Sequence, residues 1–217
     1  MEQPKLVLNN VSKKFGDKIL FKNIDLELDS GHYILIGENG CGKSTLLKTM
    51  MGLILPDIGT VSLLGEDTKI FSNKTKAKLG FAFASDRTLY HKLTAYENLK
   101  YIGSIYGLKN GELKERIPFL LDKIGLDNNG QYIETYSTGM KKRLMFIKAI
   151  LNNPEVIFLD EIYSGLDDEG CNLVNRLIDE EIEKNKLIIS VTHQQDKIIH
   201  KEHIYKLKEG KLYALGD

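Results

Sequence analysis

The chain has 217 residues, 42% of them hydrophobic and only four of them proline, which is enough to bury a core and excludes an extended or disordered protein. Thirty Lys and Arg balance thirty Asp and Glu, and a formal net charge of zero supplies no field that would concentrate the protein on nucleic acid or anionic lipid, so no nucleic-acid partner is expected. Cys41 and Cys171 lie far apart without metal-ligand spacing, the start MEQPKLVLNN lacks a basic region followed by an apolar run, and no stretch approaches the ~20 apolar residues that cross a bilayer. A chain soluble by itself in a reducing, cytoplasmic compartment is the expectation.

Residues 5–11 (KLVLNNV) and 19–28 (ILFKNIDLEL) alternate apolar with polar side chains, as half-buried antiparallel strands do, and a Phe15-Gly16-Asp17 turn separates them. His32 to Ile36 (HYILI) is a short, more continuously apolar strand that runs into a glycine-rich loop and then into a predicted helix from Ser44 to Leu53. Gly59 to Asp67 reads as a further strand and turn, and Leu79 to Ala84 (LGFAFA) as a buried strand. From Thr94 to about Leu151 the spacing turns helical, with Gly107, Gly125, Gly130 and Gly139 as breaks or caps. Strands return at Val156 to Leu159 and Leu187 to Val191 around a helix through 169–184, and HIYKLK and KLYAL close the chain around Gly210. With no internal repeat or low-complexity tract, one domain over 1–217 is expected: about 86–151 a helical subdomain, about 1–85 and 152–217 the sheets.

The glycine-rich loop is GENGCGKST: Gly37, Glu38, Asn39, Gly40, Cys41, Gly42, Lys43, Ser44 and Thr45. Glycines at these places let backbone N–H groups turn towards one phosphate cluster; Lys43 would reach the β- and γ-phosphate oxygens, Ser44 would offer its hydroxyl to magnesium, and the following helix points its positive end at the same anion. A random match in a chain this long is on the order of one per cent, and here a strand and a helix flank the loop. The second motif is VIFLDE, Val156 to Glu161. Four apolar residues make a buried strand, and Asp160 emerges at its carboxyl end, where open α/β sheets gather ligands and where a carboxylate can hold magnesium through water. Glu161, one residue outward, is placed to orient and polarise an attacking water. Two acids at a strand end can also be no more than a strand meeting solvent; the loop upstream favours chemistry.

The run YSTGMKKRL, Tyr136 to Leu144, resembles the signature sequence of ATP-binding cassette (ABC) proteins in variant form, with Ser137, Thr138, Gly139 and Met140 in the places of the commoner LSGGQ. Kinases, GTPases and RecA-type motors share the loop and the acidic strand but lack this third element between them. Other landmarks stand in the family's order: Phe15 like the aromatic that stacks on adenine, Ser164, Gly165, Leu166 and Asp167 (SGLD) like the D-loop, and Thr192-His193 like the switch histidine. The resemblance covers the whole chain. It implies an α/β P-loop NTPase with a RecA-like core, an N-terminal antiparallel β-subdomain and an inserted α-helical subdomain. It implies ATP and magnesium as ligands, with Lys43, Glu161 and His193 as catalytic residues and Ser44 and Asp160 at the metal.

The resemblance further implies that Ser137 and Gly139 reach the nucleotide bound by a second ABC ATPase subunit, the same chain or another, so that a lone monomer hydrolyses poorly. Each residue also has a plain local reading. Ser137 and Asp167 can be helix N-caps, Phe15 can pack under the first sheet, and His193 can be a satisfied strand-end polar group. One departure is clear: where the family places a magnesium-binding glutamine that links core to helical lobe, this chain reads Ala84-Ser85-Asp86-Arg87. Ser85 or Asp86 as an oxygen ligand, or water alone, are the candidates to take its place. Ile162 stands where proline is common. LTAYENLKYIGSIYGL (residues 93–108) has helical spacing, which an ordinary core face explains and which the resemblance assigns to gripping a separately encoded membrane permease on the cytoplasmic face of the membrane. The YSTGM variant with the ENL run is most like bacterial ABC-2-type exporter ATPases. Alternatives are a soluble cassette ATPase acting on DNA or ribosomes and a weakly catalytic regulatory ATP-binding module.

Overall fold

In the computed structural model residues 4–197 and 203–215 are described; residues 1–3, 198–202 and 216–217, which the single-domain reading includes, lie outside that description. The chain opens with a hairpin, β1 (Leu6–Phe15) and β2 (Lys18–Leu28), whose antiparallel register runs from Leu6 opposite Leu28 to Phe15 opposite Lys18. Pairing carries β1 past the predicted end at Val11 through the polar run Ser12-Lys13-Lys14, because the partner strand satisfies its backbone up to the turn at Gly16. With β4 (Ile58–Leu63) and β5 (Glu66–Asp67) they form a four-stranded sheet in the order β2-β1-β4-β5.

The second sheet has six strands, adding β3 (Gly31–Gly37), β6 (Leu79–Ala82), β7 (Val156–Asp160), β8 (Leu187–Val191), β9 (His203–Lys208) and β10 (Lys211–Leu215) in the order β10-β9-β3-β8-β7-β6. All are parallel except β10, which turns back on β9. Every residue of β7 and β8 is buried, as parallel strands covered on both faces require. Alternate residues sort into two cores. Leu35, Phe158, Ile189 and Val191 meet the first sheet and α1 (Lys43–Met50), while Ile34, Ile157, Leu159 and Ile188 meet the remaining helices. Each fully buried side chain of this size contributes about 1.5–3 kcal/mol, so both faces of the central strands stabilise one layered unit.

The other helices are the short α2 (Asn73–Lys76), then α3 (Ala95–Ile105), α4 (Asn110–Lys123), α5 (Thr138–Ile150) and α6 (Asp168–Glu183). Thr94 and Glu97 form a reciprocal capping box that starts α3. α5 is the junction of the molecule: it packs against β6, β7 and α6 and also against α3 and α4. Gly80 makes that possible, because a Cβ there would lie 1.9 Å from the Ala149 carbonyl oxygen.

α5 buries lysines among its apolar residues. Lys148 Nζ donates to Thr88 Oγ1 at 2.6 Å and lies 5.6 Å from the centre of the Phe81 ring, and burial lowers its pKa from the ordinary 10.5 to about 8. Between these two values the unfolded chain keeps a proton that the folded chain has lost, so this group makes stability rise with pH across that window. Lys148→Met removes the contribution; the parent should gain stability relative to the variant as pH is raised from about 8 towards 10, read from urea unfolding midpoints at each pH.

Candidate nucleotide site

The parallel strands β3, β7 and β8 all point their carboxyl ends to one edge, and the predicted loop leaves β3 there. Gly37, the last residue of β3, has φ +154, and a Cβ on it would stand 2.5 Å from the Leu207 carbonyl oxygen of β9 and 2.9 Å from Cys41 Sγ. A side chain at Gly37 would push the loop off the sheet. Gly40 (φ +73) and Gly42 (φ +112) take the other left-handed turns, and Gly42 caps α1 with no side-chain hydrogen bond, which leaves the first N–H groups of the helix without a capping side chain. A cavity of about 230 Å³ lies over this helix end, lined by Leu20, Asn39, Gly40, Gly42, Lys43, Ser44, Thr45 and Glu161. Lys43 is buried, and its Nζ donates to the Gly37 and Glu38 carbonyls, each at 2.8 Å, so the loop curls around its own cation.

The acidic strand closes the other side. Ser44 Oγ donates to Asp160 Oδ1 at 2.9 Å. Burial pushes the Asp160 carboxyl above the usual carboxylate range, and the Ser44 hydroxyl opposes that push. A hydroxyl and a carboxylate side by side are a hard oxygen donor set that fits magnesium. Glu161 adopts φ +52, an uncommon conformation for a residue with a Cβ, and its N–H donates to the Val191 carbonyl of β8 at 2.9 Å. Its Oε2 lies 2.9 Å from His193 Nδ1, within ion-pair reach, yet that oxygen is buried and accepts no hydrogen bond. A buried acceptor with spare capacity beside an imidazole is suited to taking a proton from water.

The remaining predicted residues do not line this cavity. Ser137 is exposed and caps α5 by accepting from the Met140 N–H at 3.2 Å; Asp167 caps α6 through the Gly170 N–H at 2.9 Å. The two capped ends touch. A Cβ on Gly139 would lie 3.2 Å from the Gly165 carbonyl oxygen, and one on Gly165 (φ +83) would lie 2.8 Å from Thr138 Cγ2, so residues 137–140 and 164–167 form one corner. Phe15 is 54% exposed at the end of β1, with Lys13 Nζ 5.4 Å from its ring centre. Ser85 Oγ accepts from the Arg87 N–H at 3.3 Å, and Asp86 pairs with Lys141 at 3.1 Å and His91 at 3.5 Å; Lys141 holds the Asp86 carboxyl below its usual range.

Three contributors receive no role from the motifs: Leu20, which forms an apolar wall; Lys18, whose Nζ donates to the Gly40 carbonyl at 3.4 Å; and Lys142 of α5, whose Nζ donates to the Ala84 carbonyl at 2.7 Å and the Glu161 carbonyl at 3.0 Å. A lysine in a helix reads in sequence as solvent-facing, and nothing in the pattern marks Lys142 as buried.

Residues 21–164, which hold the loop, residues 137–140 of the corner and the acidic strand, match the protein-family model described as ABC transporter. The chain belongs to the ABC transporter family. This cassette is 35% identical to the Nod factor export ATP-binding protein I of Sinorhizobium fredii (strain NBRC 101917 / NGR234), a match covering 97% of this chain and 64% of that protein. It is 32% identical to the linearmycin resistance ATP-binding protein LnrL of Bacillus subtilis (strain 168), covering 97% of this chain and 68% of that one. The cassette thus spans about two thirds of the length of these curated relatives. A solved dimeric ATP-binding cassette in a post-hydrolysis state, bound to ADP and Pi, superposes with a TM-score of 0.82 at 26% identity, covering 98% of this chain and 99% of that chain. The α/β fold expected of a P-loop NTPase, with its antiparallel sheet and helical part, is the one observed.

Cys41 offers a direct probe of the loop, since its sulfur folds back over Gly37. Alkylation of Cys41 with a bulky maleimide should abolish ATP binding, and ATP should slow the modification; undiminished binding of a fluorescent ATP analogue to fully modified protein would count against the loop as the phosphate site.

Proposed function

We propose that this cassette binds and hydrolyses ATP as one half of a dimer, the same chain or a close relative, and so drives a separately encoded membrane permease of exporter type from the cytoplasmic face. The observation that carries this reading is the convergence of Lys43, Ser44, Asp160, Glu161 and His193 at one edge of the parallel sheet. Among the described residues no helix is long and apolar enough to cross a membrane.

In this mechanism the loop N–H groups of residues 39–45 and the Lys43 ammonium take the phosphate oxygens, and Leu20 flanks the nucleotide. Phe15 stacks on adenine. Ser44 and Asp160, the latter through water, would hold magnesium, which would supply charge neutralisation at the phosphates. Ser85 and Asp86 remain candidate oxygen ligands. Glu161 accepts a proton from water as the water oxygen bonds to the terminal phosphorus and the bond to the bridging oxygen breaks, leaving ADP and phosphate; His193 orients the same water and the terminal phosphate. The fold itself holds Glu161 at φ +52, which preorganises its carboxylate at the cavity.

The exposed corner of Ser137, Thr138, Gly139 and Met140 with Ser164, Gly165, Leu166 and Asp167 serves the nucleotide of the other subunit. A capped helix end whose serine is exposed fits an anion presented from outside the chain. The helical subdomain, about residues 86–151, meets the permease; it exposes Tyr90, Tyr101 and Ile105. Export as the direction follows the name of the Nod factor relative.

Glu161→Gln keeps the side chain's shape and removes its basicity. It should lower kcat for ATP by about 100-fold or more while ATP binding persists and an ATP-bound dimer accumulates on size exclusion. Fast turnover in that variant removes Glu161 from its role. In the parent, turnover per subunit should climb with protein concentration as dimers form, and a rate per subunit that stays flat through the dimerisation range sinks the shared site.

A further inference from the structure

Lys142 lies one turn beyond the capped start of α5 and is almost entirely buried. Burial lowers its pKa, and the carboxylates of Asp160, Glu161 and Asp86 oppose that effect. An apolar side chain would fill the same space at lower cost, as Leu144, Met145 and Phe146 do in the next turn of the same helix. What the ammonium adds is two hydrogen bonds to backbone carbonyls that belong to different parts of the site. One is to Ala84, just past β6, and the other is to Glu161.

The second bond falls at a sensitive place. The Glu161 backbone sits in the left-handed region, its N–H is fixed by Val191, and its carbonyl accepts from Lys142 at 3.0 Å and from the Ser164 N–H at a longer 3.3 Å. The first bond falls where the family resemblance expects a glutamine and the chain has none. There the segment is held to α5 three times, by Lys142 at Ala84, by the Lys141 pair with Asp86 and by Lys148 at Thr88. Of the three lysines, Lys142 is the one that also reaches Glu161.

We propose that Lys142 is a positioning residue that ties the helix bearing Ser137 and Gly139 to the backbone of Glu161 and to the Ala84–Thr88 segment, and so keeps the Glu161 carboxylate aimed. The proposal rests on the reading of Glu161 as the group that activates water. Because one ammonium bridges both carbonyls, a shift of α5 on engaging a partner subunit is transmitted to Glu161 without a glutamine.

Steady-state ATP hydrolysis by the full chain tests it, with Lys142→Met, Lys142→Arg and Glu161→Gln compared against the parent and thermal melting run on each. Lys142→Met keeps the length and loses both bonds; kcat should fall about tenfold or more while KM for ATP stays within about twofold. Lys142→Arg can still donate to both carbonyls and should recover most of the rate. A Lys142→Met kcat within about twofold of the parent, or a loss confined to KM, overturns the proposal, as does equal loss in Met and Arg variants that melt like the parent. If Lys142→Met does not fold, Lys142→Gln takes its place against Lys142→Arg: a clear advantage for Arg supports the role and equal rates overturn it. A parent-like rate in Glu161→Gln removes the underlying reading. Loss in Glu161→Gln with a parent-like Lys142→Met removes only the assignment of Lys142.

Discussion

The hydrogen bond from Ser44 Oγ to Asp160 Oδ1 joins the phosphate-type loop to the central strand, and each partner is in place for a separate structural reason. Ser44 stands in the first turn of α1, which can start there because Gly37 and Gly42 let the chain leave β3 and turn within a few residues. Asp160 ends β7, a strand buried over its whole length between β6 and β8. The bond therefore joins the loop that follows β3 to the strand that β6 and β8 flank. Burial raises the Asp160 carboxyl above the usual carboxylate range, and the Ser44 hydroxyl opposes that push.

Glu161 shows what that scaffold supports. A non-glycine residue in the left-handed region costs on the order of 1–3 kcal/mol and persists only where its surroundings over-determine it. Here Val191 holds the N–H and Lys142 and Ser164 hold the carbonyl, while the carboxylate keeps a buried oxygen free of hydrogen bonds beside His193. Strain and unsatisfied capacity coincide at one residue, and two flanking parallel strands provide the stability that offsets both.

Ser137 and Asp167 have a local function that is complete within one chain. Each satisfies the first turn of a helix, and the two ends pack against each other through Gly139 and Gly165. A capping serine at an exposed helix end satisfies its own backbone and still presents N–H groups outward, so local stability and contact with a second subunit do not compete. The same helix carries Lys141, Lys142 and Lys148, which hold the Ala84–Thr88 segment, so α5 links the corner to that segment and, through Lys142, to Glu161.

GENGCGKST and VIFLDE were legible in the sequence because their chemistry is local, glycines for a tight turn and an apolar run that ends in acids, whereas YSTGM read locally as no more than a helix cap and was legible through its resemblance to the family signature. Strand and helix order was legible as well, since burial imposes period two or 3.6 on neighbouring residues. Only the tertiary structure decided what depends on distant segments meeting. It extended β1 to Phe15 by pairing, set Gly37 against the Leu207 carbonyl of β9, and buried Lys142 with its ammonium on Ala84 and Glu161. Sequence spacing carries no signal for such contacts, because a lysine turned inward and a lysine turned to water occupy the same letter and the same helical position.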